Sequence, residues 1–527
     1  MNKIFNELQK FEQETDSMDE KDILKRIGEL DKKYSTDLDY QQNINGFLSN
    51  IGADKKSVII LTCAIKRLQS AIKELNSIEE KPSEYPEYNI SVMHSKYHYD
   101  LANTISSKAD VRYGINPKIE DLIEGKEYYE QRTIFNNINP EVAYLQLYLS
   151  AQTNTANLLE KFGRNYEAIL AYDKAIAVEK DFGMALGNKA IALIYYFQLS
   201  LQKNMVLLNE ARILLNHALQ DKDLEEIGGI AIKTVFQDQI KLIDNNYFKC
   251  DCEPIKGIFP STIDDYEKFV MSNNLYLNYD FGYYYDKSSL TDNFCLTSTE
   301  SIEEIEKTHL DKNKHTSKRI YFCSQIFNQI LEDFATARCN FYQSLKLDYS
   351  SIDINTNYIS TFDNTKHSIK YGNLKNIFAS LTNILDKVAH VLLIYYEIED
   401  YDPNDSKIYF ANLLAEPFKN VVIDSKNRHL LALCSLANDF NDKKYPYYKY
   451  KKLRNRITHS FVNINIGSDY KQYNDGNFEI EESTLIENAG EMFQIVKASI
   501  LYLTLATHET SSKFNGSYVH REIIFEK

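Results

Sequence analysis

Glycine and proline are scarce. Only 17 glycines and 9 prolines occur among 527 residues, against usual shares of about 7% and 5%. So few breakers exclude collagen-like repeats and Gly/Ser linkers, argue against β-sandwiches, and favour long helices. Long hydrophobic runs are missing too. No stretch reaches the ~18 apolar residues of a membrane span, the nearest being residues 191–197 and 391–396. The first ten residues hold no apolar run of signal-peptide length, and a cytoplasmic protein is expected. The seven cysteines are scattered and odd in number, which speaks against a disulfide framework. Cys250 and Cys252 form the only close pair. They lack the second pair and the histidine spacing of a zinc site, so neither metal nor other cofactor is expected. Positive charge is also in deficit: 60 Lys and Arg face 75 Asp and Glu, a net charge of −15. Such a molecule repels nucleic acid at long range, and any contact with RNA must rest on a local basic patch.

What is present is ordinary for a folded protein: 43% hydrophobic and 26% charged residues. At ~150 residues per domain the length suggests about three domains. The periodicity predicts an all-α architecture in four segments. Residues 1–135 are helices with irregular joints; residues 60–75 keep a 3.6-residue apolar period, and residues 81–89 read as a loop. In residues 136–245, Ala168, Tyr172 and Ala175 are echoed by Ala211, Leu215 and Ala218, and Ala156 with Leu159 by Ala190 with Leu193. Small residues seven apart let neighbouring helices approach closely. This pattern, with Gly163 at the intervening turn, resembles the tetratricopeptide (TPR) repeat. It departs from that repeat in its aromatic position, its missing terminal proline and extra residues in the second unit. Residues 246–315 lose periodicity and are rich in tyrosine, as in residues 274–285; they read as a connecting segment, ordered in part by those tyrosines. Residues 316–527 form a helical bundle. Its expected helices are 318–347, 370–399, 407–416 (stopped by Pro417), 430–440, 453–461 and 484–507, the last opened by a Thr484–Glu487 capping box. Residues 462–466 and 477–481 alternate and suggest a small β-hairpin around Asn474-Asp475-Gly476.

The residues that carry chemistry lie in 452–460, Lys-Leu-Arg-Asn-Arg-Ile-Thr-His-Ser. On a helix turning ~100° per residue, Leu453, Ile457 and Phe461 define a buried side. Arg454, Thr458, Asn455 and His459 then form one polar arc leading away from it. Arginine stays charged and offers a planar fork for phosphate. Histidine moves protons near neutral pH. RNA brings its own nucleophile, the 2′-hydroxyl, so these groups suffice in principle for cleavage without metal. A second Arg–His pair with the same separation, Arg212 and His217, falls inside the repeat and reads as its polar outer side. The 454–459 pair has richer surroundings. Residues 443–456 hold seven basic and no acidic side chains, interleaved with Tyr445, Tyr447, Tyr448 and Tyr450. Cations for phosphates and aromatic faces for unstacked bases suit single-stranded RNA. Lys443, Lys444, Tyr448, Lys449, Lys451, Lys452 and Arg456 are the candidate RNA-binding residues. The alternative is a solvated basic loop leading into a helix.

The bundle, the Arg454-Asn455…His459 motif and the earlier Leu385-Asp386-Lys387 together resemble the HEPN superfamily, in the bacterial branch that joins TPR-like helices to a C-terminal HEPN domain. The resemblance covers about 318–510, with 140–240 for the repeats. It implies a metal-independent endoribonuclease, working as a homodimer whose paired motifs form one cleft. It also implies service in phage defence or a toxin-like role, with the repeats as sensor or protein-binding surface. Arg454, His459 and Asn455 would be catalytic, with Thr458 and Asp386 in support; a surface ion pair of Asp386 with His390 or Lys387 is the competing account. Arg338 reads as a structural pair. A non-catalytic scaffold, with the HEPN module serving dimerisation or RNA binding, is the second reading. The target half of a toxin–antitoxin pair, silenced by a neighbouring nucleotidyltransferase, is a third.

Overall fold

Most of the described chain is helical, and the helices follow from apolar residues spaced three and four apart. The computed structural model describes residues 2–34, 38–79, 87–136, 138, 145–200, 203–246, 263–284, 289–298, 316–359, 365–398, 408–465 and 479–512. Contacts divide the chain into two units. The first comprises Met1–Lys161, Ala168–Lys189 and His217–Lys233; the second comprises Phe162–Glu167, Ala190–Asn216 and Thr234–Lys527.

In the first unit, Leu8, Phe11, Ile23, Ile27, Leu48 and Ile60 close a core between the opening helices. The expected period at 60–75 lies within the helix Val58–Glu79. Beside it, Arg67 grips both oxygens of Asp31 at 2.6 and 2.8 Å. Farther along, Ala156, Ala168, Tyr172 and Ala175 are fully buried. The Tyr172 hydroxyl donates to Asn157 at 2.6 Å, and the Asn188 amide donates to the same oxygen at 3.1 Å, tying three successive helices together. Burial pushes the Glu160 carboxyl up to about 7, against the Tyr172 hydroxyl bond. His217 turns outward to Asp181 at 2.8 Å, as a polar outer face requires.

The second unit is built on one hydrophobic helix, Ile369–Tyr395. Its stripe Leu374, Ile377, Phe378, Leu381, Ile384, Leu385, Val388, Leu392 and Tyr395 is entirely buried. It packs along the helix Thr316–Lys346 on one side and Glu482–Ser512 on another. Among the described residues this helix alone is long and apolar enough to cross a membrane, and 67% of its most apolar window is buried within the protein. Arg428–Asn441 packs against Glu482–Ser512, and the short helix Tyr448–His459 lies on both Ile369–Tyr395 and Arg428–Asn441.

Several local expectations fail for identifiable reasons. Pro417 does not stop a helix but sits in the first turn of Glu416–Ser425, where a missing N–H costs nothing. Residues Phe410–Leu414 before it form a 3-10 turn. The last helix starts at Glu482, so Thr484 lies inside its first turn and not at a cap. The two short strands do pair, but in parallel. β2 (Asn463–Asn465) runs parallel to β3 (Glu479–Glu481) and antiparallel to β1 (Thr365–Lys366). A hairpin is therefore excluded; its proposed turn at 474–476 lies outside the described residues, as do Cys250, Cys252 and residues 81–86 of the loop expected at 81–89, whose last three residues instead open the helix Glu87–Tyr113.

The tyrosine-rich segment is more than a connection where it is described. Leu275, Leu277, Asn278, Tyr279 and Tyr284 are at most 1% exposed. Arg338 binds Asp292 at 2.8 and 2.9 Å, the Leu275 carbonyl at 2.8 Å and the Tyr266 hydroxyl at 3.1 Å, the structural role expected of it. Lys497, without exposed surface, donates to the carbonyl and side-chain oxygens of Asn274 at 3.0 and 2.9 Å.

Candidate active site

The helix Tyr448–His459 begins after a turn held by the Asp439 carbonyl, which accepts the Tyr447 N–H at 3.2 Å. Tyr450 and Leu453 form its buried face. Phe461 does not extend that face. The helix ends at His459, Ser460 caps it in a non-helical conformation, and Phe461 is 53% exposed. The one-turn spacing thus fails at the helix end, where the 100° rotation no longer applies.

The interleaved tyrosines divide. Tyr450 is fully buried. Tyr447 donates to Glu167 at 3.1 Å within a polar core cluster. There Arg164 holds Glu167 through two nitrogens and also binds Asp439 and Ser435, while Tyr502 donates to Glu167 at 3.3 Å. Tyr450 is core and unavailable for stacking bases, while Tyr447 is half-buried with its hydroxyl committed to that cluster. Tyr448 stays half-buried, and Lys443, Lys444, Lys449, Lys451 and Lys452 are exposed, with Arg456 half-buried. Lys449 lies 3.6 Å from Glu491, a pairing worth little in water.

Arg454 turns toward the central helix. Its guanidinium donates to Asn455 and to Asn383, both at 3.4 Å, and lies 3.9 Å from the Asp386 carboxylate. Asp386 in turn accepts the Phe410 N–H at 2.7 Å. Burial raises its carboxyl above the ordinary range, with the Phe410 amide and Arg454 partly offsetting that. Lys387 reaches Asp333, so Asp386 belongs with Arg454 and not with Lys387. Thr458 bonds back to the Arg454 carbonyl at 2.9 Å. A cleft of about 360 Å³ opens here, and Asp386, Lys451, Arg454 and Asn455 are among the residues that line it. His459 is exposed at the helix end. Five residues on, it lies ~140° around the axis and ~7.5 Å along it from Arg454, outside the cleft lining. One chain therefore gathers Arg454, Asn455, Asp386 and Lys451, and leaves His459 apart.

Residues 314–510 match the family model of the LA2681-like HEPN domain. This segment is a HEPN domain. The match includes the whole motif helix, the central helix and the cleft between them, and it ties the HEPN domain to RNA-related function. No curated protein and no solved structure matches the chain. Among the described residues, no group of three or more His, Cys, Asp or Glu side chains is placed to hold a metal ion.

Asn383, which accepts from Arg454 beside the cleft, and three aromatic residues of the cleft itself escape a reading of the sequence. Asn383 stands one turn before Asp386 and shares its helix face, a signal that spacing does contain. Tyr409, Phe410 and Phe440 line the cleft. Nothing near them in the chain marks them, because a 3-10 turn and a separate helix deliver them.

Proposed function

We propose that the HEPN domain is an endoribonuclease that works as a homodimer and needs no metal. The 2′-hydroxyl attacks the adjacent phosphorus, the bond from phosphorus to the 5′-oxygen breaks, and a 2′,3′-cyclic phosphate and a 5′-hydroxyl result. The His459 imidazole takes the 2′-hydroxyl proton and, once protonated, gives it to the departing 5′-oxygen. Arg454 stabilises the charge on the phosphorane, Asn455 and Thr458 position, and Asp386 holds Arg454. Lys443, Lys444, Lys449, Lys451, Lys452, Arg456 and Tyr448 hold the strand.

The observation that carries this reading is the outward presentation of two unlike groups by one short helix: a guanidinium on a cleft and an exposed imidazole at the helix end. Their separation around the helix suits a site completed by a second copy. The helices of residues 136–245, with their buried small residues, would serve as the TPR-like sensor, and the trigger would release a nuclease used in phage defence or as a toxin.

The test is incubation of the purified protein with total RNA in EDTA. Fragmentation should appear, and His459→Ala should lower it by ~10²–10⁴-fold, the worth of general acid–base catalysis. Unfolding should scarcely change, since His459 is exposed. Arg454→Ala should abolish it as well. The second reading, a non-catalytic RNA-binding module, draws on the contacts of Arg454 with Asp386 and Asn383; it predicts bound but intact RNA.

A further inference from the structure

The cleft beside Arg454 is larger than a phosphate contact requires. Its volume of about 360 Å³ falls in the range of small-molecule sites, about 300–1,000 Å³. Its walls are aromatic and aliphatic. Phe410 and Leu385 are buried at its base, Phe440 meets Phe410 edge-on with ring centroids 6.2 Å apart, and Tyr409 stands 51% exposed at the side. The polar groups are few: two cations, Lys451 and Arg454, the Asn455 amide, the Asp386 carboxylate, the Tyr409 hydroxyl, and the Thr382 hydroxyl, which is spent on its own helix carbonyls. One Asp386 oxygen is committed to the Phe410 N–H, while the other lies 3.9 Å from the Arg454 guanidinium, beyond hydrogen-bond length. That oxygen is an acceptor with capacity to spare, set among aromatic walls.

We propose that this cleft is a nucleobase subsite of the RNA site, which accepts an unstacked base against Tyr409, over the apolar base formed by Phe410 and Leu385, and selects for bases that present N–H donors to Asp386. The inference rests on the reading of the HEPN domain as an RNA-cleaving site and names what that site selects. Unstacked bases are recognised by stacking on aromatic side chains and by hydrogen bonds to their edges. Lys451 and Arg454 then meet the attached phosphate. Guanine offers adjacent imino and amino N–H groups, and both can converge on the Asp386 oxygen that does not bind Phe410. Cytosine and adenine each offer one amino group. Uracil offers a single N–H flanked by two carbonyl oxygens, which the carboxylate repels. The order is guanine first and uracil last.

Binding of the four nucleoside 3′-monophosphates to the full-length His459→Ala protein, followed by calorimetry, tests this without cleavage. Guanosine 3′-monophosphate should bind about tenfold more tightly than the uridine compound, one good hydrogen bond's worth of discrimination. Tyr409→Ala should weaken all four by about tenfold through lost stacking, and its exposure keeps the fold intact. Asp386→Asn should erase the difference between guanine and uracil. Equal affinities for all four nucleotides, or affinities untouched by Tyr409→Ala, would overturn the subsite. Base-selective binding without RNA fragmentation by the wild-type protein would leave the subsite standing and remove the nuclease reading. Fragmentation without selective binding would do the reverse.

Discussion

Arg164 and Lys497 both lack exposed surface, yet their surroundings treat charge in opposite ways. Burial works against the Arg164 charge, but Asp439 and Glu167 outweigh it and hold its pKa up. Removing such a cation strands two buried carboxylates. Arg164→Met should therefore cost about 3–5 kcal/mol in urea unfolding. Lys497 meets neutral oxygens of Asn274, and burial drives its ammonium down to about 7, with Asp292 and Asp280 opposing and Arg338 assisting. A lysine depressed in the folded state binds its proton more readily when unfolded. The cost of charging it is fully present below pH 7 and is relieved as pH rises toward the ordinary lysine value. Between pH 7.5 and 9.5, wild-type stability should thus gain on Lys497→Met by about 1.4 kcal/mol per pH unit. Parallel urea titrations of the two proteins would check it; a constant difference would show that Lys497 stays charged.

Helix ends depend on single hydrogen bonds more than helix interiors do. Asn427 caps Arg428–Asn441 by accepting the N–H groups of His429 and Leu430 at 2.9 and 3.2 Å, and its amide donates to the Ala506 carbonyl at 2.9 Å. Asn427→Ala should cost about 2 kcal/mol, the upper range for a cap, seen as a lowered urea midpoint with unchanged slope. Apolar spacing found the interiors of these helices, including every residue of the central stripe. It placed the ends badly at Pro417, Thr484 and Phe461. A stripe involves many residues repeating one contact, whereas an end depends on one backbone group finding or losing its partner.

On the scale of the whole molecule, the proposed nuclease is incomplete as one chain. If Arg454 acts with the His459 of a second copy, co-expressed Arg454→Ala and His459→Ala subunits should recover about a quarter of wild-type activity in a twofold dimer. Half the dimers then carry both variants, and each keeps one Arg454 facing the His459 of the other chain, half of the paired groups. Sites contained within one chain would recover nothing. Cleavage of total RNA by purified mixed dimers would decide between them. The HEPN segment was legible because its motif is short and local: Arg454, Asn455 and His459 sit on one helix. The aromatic side of the cleft was not, because Tyr409, Phe410 and Phe440 come from elements that meet the motif helix only after folding.

The order of residues alone specified an all-helical chain, the buried stripes of its long helices, and a helix that presents arginine and histidine on different sides. Those properties arise between residues three to five apart. Tertiary packing decided the rest. It turned Tyr450 from an apparent base-stacking face into core, committed the Tyr447 hydroxyl to Glu167, drew residues 275–284 inward, set β2 and β3 in parallel, and joined Arg164 to Asp439 across 275 positions. Polar and aromatic side chains are at home in water or in a satisfied interior, and only partners brought from far along the chain determine which environment they occupy.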